Sequence, residues 1–175
     1  SPSLAISGLR KQDRLVCSEL HPREFSHLEE LPTQGKRVHY RHSDGLNDLQ
    51  ALLPPPERRG LVFVDPSYEI KDEYKLIPQH IKAAFNRFST GVYCIWYPII
   101  EHRLHSRIIR GLKEIDAKET LQIEFSLTGA KKDGMTGCGL FIINPPFVLA
   151  EEMKEILTVL RTIFNPGVSS FIIEK

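Results

Sequence analysis

The sequence has little excess charge, few cysteines and no metal-ligand pattern. Its 23 Lys and Arg residues almost balance 22 Asp and Glu residues, for a formal net charge of +1, so overall basicity does not indicate a nucleic-acid partner. The three cysteines lie far apart, without a C-x-x-C pair or histidines at ligand spacing, which argues against a disulfide framework and a metal site. These shortages favour a protein of the reducing cytoplasm.

The sequence also lacks a segment that could cross a membrane. Its longest apolar stretch, residues 91–100, is half the roughly 20 residues that a membrane helix needs. A length of 175 residues with 41% apolar and 26% charged residues is typical of one soluble domain and excludes a disordered or fibrous chain. The chain begins at Ser1 without Met, already within a predicted helix, so we expect the natural protein to extend further back.

Short apolar runs alternate with longer amphipathic segments, a pattern that predicts an α/β fold with parallel strands and covering helices. From residue 121 to 127 the apolar residues alternate instead, which predicts an antiparallel pair with 140–143 and a mobile, glycine-rich loop between the two. Pro78 is expected in the first turn of its helix. The predicted strands are 15–18, 37–40, 60–64, 92–97, 121–127, 140–143 and 170–173, and the predicted helices are 46–53, 77–88, 103–115 and 150–164.

Acidic residues follow the first three predicted strands. Glu19 follows the first strand, Asp44 with Gly45 the second, and Asp65 the third. Ligands of open α/β sheets bind beyond the carboxyl ends of parallel strands, where a carboxylate can accept two hydrogen bonds from ribose hydroxyls. Asp44 is placed either to meet an adenine amine or to cap the next helix. Three acids in register favour a nucleoside site over three unrelated caps.

The segment Asp65-Pro66-Ser67-Tyr68 joins an acid, a rigid residue, a small residue and an aromatic directly after a buried strand. Chemistry on the exocyclic amine of a base needs such groups, because the base must be held outside its helix. Asp65 and the Pro66 carbonyl can accept the amine hydrogens, and Tyr68 can stack on the base, worth about 1–3 kcal/mol. A type I turn explains the same residues equally well.

These residues resemble the D/N-P-P-Y/F/W motif of class I S-adenosylmethionine-dependent amino-methyltransferases. More narrowly, the chain resembles the RlmJ family of bacterial 23S rRNA adenine-N6 methyltransferases from its first residue to its last. The matching segments, in family order, are residues 1–2, 10–13, 19–22, 44–45, 58–61, 65–69, 90–93, 96–98, 134–136 and 144–147.

The resemblance implies a Rossmann-like methyltransferase sheet, mostly parallel, with S-adenosylmethionine as the cofactor. The substrate it implies is an adenine in 23S rRNA that is protein-free or early in assembly. It also implies that residues 1–175 form one methyltransferase domain without the family's N-terminal glycine-rich cofactor loop and helical subdomain. The cofactor would be bound by Ser1, Glu19 on its ribose, Asp44 near its adenine, Gly45 and Asp65.

By the same resemblance Asp65, Pro66 and Tyr68 are the catalytic residues, and Ser67 and Tyr68 contact the target base. Ser67 replaces the usual second proline, which we expect to affect rate more than reaction type. Two lysines of the glycine-rich loop, Lys131 and Lys132, either touch RNA phosphates or are simply solvated.

The segment Asn144-Pro145-Pro146-Phe147 fits the motif's pattern better than the Asp65 segment does. It follows a strand of the antiparallel pair, away from the parallel strand ends, so we interpret it as structural.

Two other functions remain open at this point. A catalytically silent RNA-binding relative is favoured by Ser67 and by the missing glycine-rich loop. A DNA adenine amino-methyltransferase uses the same local motif. In each case we expect a cytoplasmic monomer without membrane contact.

Overall fold

The structure, a computed structural model, describes residues 1–70, 72–100, 104–127, 134–164 and 167–175. The chain divides into two compact units, Ser1–Leu52 and Leu53–Lys175. Both contain strands and helices, so the predicted α/β class is confirmed, whereas the single methyltransferase domain stays a prediction. None of the helices in the described ranges is long and apolar enough for a membrane span.

The first unit combines a two-stranded parallel sheet with three short helices. Strands β1 and β2 run in register from Leu15 beside Val38 to Glu19 beside His42, so both end at the same edge. Helix α2 was not predicted, because the short and largely polar sequence PREFSHLE offers only Phe25 and Leu28 as large apolar side chains; Pro22 suits its first helical position. The elements are α1 (Pro2–Gly8), β1 (Leu15–Glu19), α2 (Pro22–Glu29), β2 (Val38–His42) and α3 (Gly45–Leu52).

The second unit is built on a five-stranded sheet in the order β3-β4-β6-β5-β7. Strands β3 and β4 are parallel, whereas β6 runs antiparallel to both β4 and β5, and β7 antiparallel to β5. The predicted β5–β6 antiparallel pair is confirmed, and β7 extends it. The elements are β3 (Leu61–Val64), α4 (Glu73–Arg87), β4 (Val92–Ile100), α5 (His105–Lys113), β5 (Thr120–Leu127), β6 (Met135–Ile143), α6 (Leu149–Ile163) and β7 (Ser169–Glu174).

Alternation along the strands sends buried side chains to both faces of this sheet. On one face Leu121 and Ile142 pack with Leu157 of α6. On the other, the Tyr93 ring meets Phe85 of α4 edge-on, with ring centroids 5.9 Å apart. The sheet is therefore covered on both sides, and its strand ends are left to carry the functional residues.

Pro78 lies inside α4 rather than in its first turn, so that prediction was wrong. The helix begins at Glu73 because Tyr74, only 2% exposed, belongs to the same buried face as Ile77. The proline ring packs against α5 at Gly111, where the absence of a side chain leaves room for it. A Cβ built on Gly111 would lie only 2.7 Å from the Pro78 Cβ.

The glycine-rich stretch before residue 140 is also different from the prediction, because β6 begins at Met135. A Cβ on Gly137 would lie 2.4 Å from the Phe125 carbonyl oxygen, and one on Gly139 would lie 2.3 Å from the Tyr97 ring. These glycines therefore serve close packing within the sheet rather than mobility. Lys131 and Lys132 lie outside the described residues.

Candidate functional site

Glu19 lies where β1 ends, at the carboxyl edge of the parallel pair. Its Oε1 accepts a hydrogen bond from the main-chain N–H of His21 at 2.8 Å. Its main-chain oxygen accepts the N–H of Ser43 at 3.1 Å, which ties the two strand ends together. The half-buried carboxylate is thus oriented by a backbone donor and keeps lone pairs for further donors, such as the hydroxyls of a ribose.

Asp44 caps helix α3, the second of its two predicted roles. Its Oδ1 accepts the N–H of Leu46 at 2.9 Å, and its Oδ2 accepts the side-chain amide of Asn47 at 2.7 Å. The adenine contact stays a prediction. Gly45 follows directly, and a Cβ there would lie 3.3 Å from the Ser18 Cβ, so a side chain at this position would press on β1.

Asp48 anchors both strand ends and was not predicted. It accepts hydrogen bonds from Ser18 Oγ at 2.8 Å, Ser43 Oγ at 2.5 Å and Arg41 Nε at 3.0 Å. Burial acts to raise its pKa, but the bonds from Ser43, Ser18 and Arg41 outweigh it and hold the pKa of Asp48 below its usual value. Asp48 therefore fixes the edge that carries Glu19 and Asp44. The only sequence signal was an acid in the first turn of α3.

Tyr68 ends the segment after β3 in an uncommon backbone conformation. Its φ is +57°, in the left-handed region that bulky residues rarely adopt. The hydroxyl donates a hydrogen bond to the main-chain oxygen of Trp96. The ring centroid lies 5.0 Å from that of Tyr74 and 5.9 Å from that of Trp96. Such a backbone conformation persists only where neighbouring contacts enforce it, and conformations of this kind are concentrated at functional sites.

Asp65 and Ser67 are exposed while Pro66 is half-buried. No main-chain hydrogen bond joins Asp65 to Tyr68, so a hydrogen-bonded type I turn is not formed. Desolvation raises the pKa of Asp65 above its usual value, and burial raises the pKa of Tyr68. The segment therefore offers a carboxylate of increased basicity beside a phenol that stays protonated and anchored.

Asn144 has a structural role in the second unit, as its sequence context indicated. Its side-chain amide donates to the main-chain oxygens of Ser89 and Gly91, both at 2.8 Å. Its main-chain N–H donates to Glu119 at 3.0 Å. These bonds tie the end of β6 to neighbouring loops, while Phe147 of the same segment is 96% exposed.

The predicted site residues are divided between the two units. Ser1, immediately before α1, belongs to the first unit with Glu19 and the Asp44-Gly45 pair, and the segment from Asp65 to Tyr68 belongs to the second. The described part of the chain holds no cluster of three or more His, Cys, Asp or Glu side chains suited to a metal ion.

An α/β fold with acids where its parallel strands end, and an Asp-Pro-Ser-Tyr segment after β3, is the arrangement expected of a methyltransferase. The sequence model of the family described as "Ribosomal RNA large subunit methyltransferase D, RlmJ" matches residues 1–172, and the chain belongs to this family.

Two curated relatives are named ribosomal RNA large subunit methyltransferase J. The Haemophilus influenzae protein is 40% identical over 176 residues, which cover 99% of this chain and 63% of that protein. The Escherichia coli protein is 36% identical over 168 residues, or 95% and 60% of the two chains. A crystal structure of a Legionella pneumophila protein is similar with a TM-score of 0.95 and 51% identity, over 100% of this chain and 65% of that one. The chain thus spans less than two thirds of each relative's length.

Proposed function

We propose that this chain forms the cofactor- and adenine-binding part of an S-adenosylmethionine-dependent enzyme that methylates the N6 amine of an adenine in 23S rRNA. The observation that carries the proposal is the segment after β3, where Asp65, with a raised pKa, precedes Tyr68 in its anchored left-handed conformation. Membership of a family described as large-subunit rRNA methyltransferases supports the substrate. We place the enzyme in the cytoplasm as a monomer that acts on protein-free or early-assembly rRNA.

The first unit fits a nucleoside cofactor by the chemistry of its acceptors. Glu19 presents a carboxylate, oriented by the His21 N–H, at the end of a parallel strand, the position from which ribose hydroxyls are bound in related folds. Asp44 and Gly45 follow the neighbouring strand, and Ser1 completes the proposed set. When bound, S-adenosylmethionine supplies the methyl group.

The second unit supplies the groups that act on the amine. The Asp65 carboxylate and the Pro66 carbonyl each accept one amine hydrogen, which directs the nitrogen lone pair away from the base plane. Positive charge develops on the nitrogen as it is methylated, and the Asp65 carboxylate stabilises it and takes up the released proton directly or through water. A raised pKa makes this carboxylate a better proton acceptor.

Ser67 and Tyr68 complete the proposed base site. Without the usual second proline the segment is less rigid, but the hydrogen bond from the Tyr68 hydroxyl to Trp96 restrains it. Tyr68 is only 8% exposed, so the proposed stacking uses the small part of its ring that Tyr74 and Trp96 leave accessible. Lys131 and Lys132 are proposed to contact phosphates of the same RNA.

The experiment compares substrates directly. Labelled methyl transfer is measured to unmodified 23S rRNA and to duplex DNA, with this chain and with the full-length natural protein, followed by nucleoside analysis. We expect N6-methyladenosine in rRNA with the full-length protein. Label in DNA alone would identify a DNA methyltransferase. RNA binding without label, together with no calorimetric binding of S-adenosylmethionine, would identify a silent RNA-binding relative.

A further inference from the structure

Helices α4 and α5 line a groove of about 510 Å³ on the second unit. Four exposed cationic side chains line it, Lys75 and Lys82 from α4 and Arg107 and Arg110 from α5, against the one carboxylate of Glu114. Four positive charges against one negative charge leave a local excess of three, although the whole chain has a formal net charge of only +1. The groove is therefore locally positive on a chain that is nearly neutral as a whole.

Each helix presents a single stripe of side chains to the groove, with the spacing i, i+3, i+4 and i+7. Pro78 and Gly111 bring the stripes together, since a Cβ on Gly111 would lie 2.7 Å from the Pro78 Cβ. The close approach forms a floor that the longer cationic side chains flank. The stripes are Lys75, Pro78, Gln79 and Lys82 on α4, and Arg107, Arg110 and Gly111 on α5 continued by Glu114 directly after it.

Within the described ranges none of the four cations of the groove forms an ion pair, whereas Lys113 of α5, which does not line this groove, pairs with Glu174 at 3.7 Å. Unneutralised like charges repel one another and attract an anionic ligand. The groove is thus suited to bind an anion rather than to stabilise the fold.

The dimensions of the groove fit a chain of phosphates better than a single one. Lys75 and Lys82 are seven residues apart on α4, or about 10 Å along the helix axis. Cationic side chains spread over this span suit successive phosphates of one RNA strand better than a single phosphate. Tyr74 also lines the groove, and its ring lies 5.0 Å from that of Tyr68, so one aromatic pair links the groove to the proposed base site.

We propose that the α4–α5 groove binds the phosphate backbone of the RNA whose adenine is held at Asp65 to Tyr68. The inference rests on the proposed function and deepens it by giving the RNA strand a path on the second unit. Contacts to phosphates position the strand and supply affinity, while the base site selects the nucleotide.

The test removes two groove charges and compares the result with a matched control. Lys82→Gln with Arg110→Gln changes the groove, and Lys154→Gln with Arg161→Gln removes the same charge from exposed positions of α6. In the full-length protein, binding to a fragment of 23S rRNA is measured over a series of salt concentrations. The groove variant should bind about tenfold more weakly, with a salt slope flatter by roughly 1.4 for two lost phosphate contacts, and the control should match the wild type.

Methyl transfer separates a failure of this inference from a failure of the proposed function. The KM for RNA should rise about tenfold in the groove variant, with a smaller effect on kcat. If the wild type methylates rRNA and the two variants behave alike, the groove inference is overturned and the proposed function stands. Groove-dependent RNA binding without methylation by the wild type would retain the groove and reject the proposed function. Charge-dependent binding to phosphatidylserine vesicles but not to RNA would overturn the inference in favour of a membrane surface.

Discussion

At the scale of single residues, Asp48 and Asp65 have pKa values displaced in opposite directions. Asp48 accepts hydrogen bonds from Ser43, Ser18 and Arg41, which stabilise its charged form and lower its pKa. Asp65 is exposed but partly desolvated by its neighbours, and among the described residues it accepts no comparable hydrogen bonds, so its pKa is raised. The first arrangement stabilises the folded chain, whereas the second costs stability and suits a group that must accept a proton.

We predict that Asp65→Asn does not destabilise the protein. A raised folded-state pKa means that the contribution of Asp65 to stability is present below its unfolded pKa of about 3.9 and is lost as pH rises through the higher folded value. At neutral pH the charge therefore gives no net stabilisation, and its removal should leave the thermal unfolding temperature unchanged or slightly higher. A fall of several degrees would show that Asp65 is mainly structural.

The pH dependence of methyl transfer gives a second prediction. If the Asp65 carboxylate accepts the proton, kcat/KM must fall as pH decreases through the raised pKa of the free protein, with a midpoint above the ordinary value of about 3.9. The measurement is kcat/KM for rRNA against pH at saturating S-adenosylmethionine. A flat profile down to the pH where the protein unfolds would remove Asp65 from proton transfer.

Replacing Asp48 should lower the stability of the protein, in contrast to replacing Asp65. Asp48→Ala leaves the hydroxyls of Ser18 and Ser43 without their acceptor, and we expect a loss of about 1–3 kcal/mol in the free energy of unfolding. Because its pKa is lowered, the contribution of Asp48 is present above about pH 3.9 and is lost as pH falls through the lower folded value. Urea unfolding measures the loss, with the exposed Asp116→Ala as the control. Equal stability of the two variants would contradict the assigned role.

At the scale of elements, buried strands and long amphipathic helices could be predicted from the sequence, while polar and close-packed elements could not. A continuous apolar run predicted strand β3, and apolar residues at helical spacing predicted helix α6. Helix α2 was missed because its residues are largely polar, and the beginning of β6 because Gly137 and Gly139 were interpreted as loop residues. Their role depends on Phe125 and Tyr97, which come close only in the folded sheet.

This account of β6 predicts that Gly139→Ala is destabilising. The added Cβ would meet the ring of Tyr97, which is fully buried and whose hydroxyl donates to Glu124 Oε1 at 2.9 Å. Overpacking of this kind costs about 1–3 kcal/mol, measurable by urea unfolding. Gly134→Ala is the matched control, since a Cβ there has nothing within 4 Å. A neutral effect at Gly139 would show that the sheet can adjust.

At the scale of the whole molecule, part of the candidate site could be predicted because parallel strands place their following residues at one edge. The shared edge of Glu19 and Asp44 was identified in this way, while their roles in binding stay predictions. The α4–α5 groove could not be predicted from the sequence, because its cations come from two helices that are brought together only by the packing of Pro78 on Gly111. A net charge of +1 hides such a local cluster.

The measurement that tests the central claim most directly is the formation of N6-methyladenosine in 23S rRNA by the full-length protein and by its Asp65→Asn variant. Both proteins are first shown to bind S-adenosylmethionine and RNA with similar affinity. We predict N6-methyladenosine with the wild type and at least a hundredfold lower rate with Asp65→Asn, since a positioned proton acceptor contributes about 10²–10⁴-fold. Equal rates for the two proteins, or a methyl group on another atom, would contradict the account.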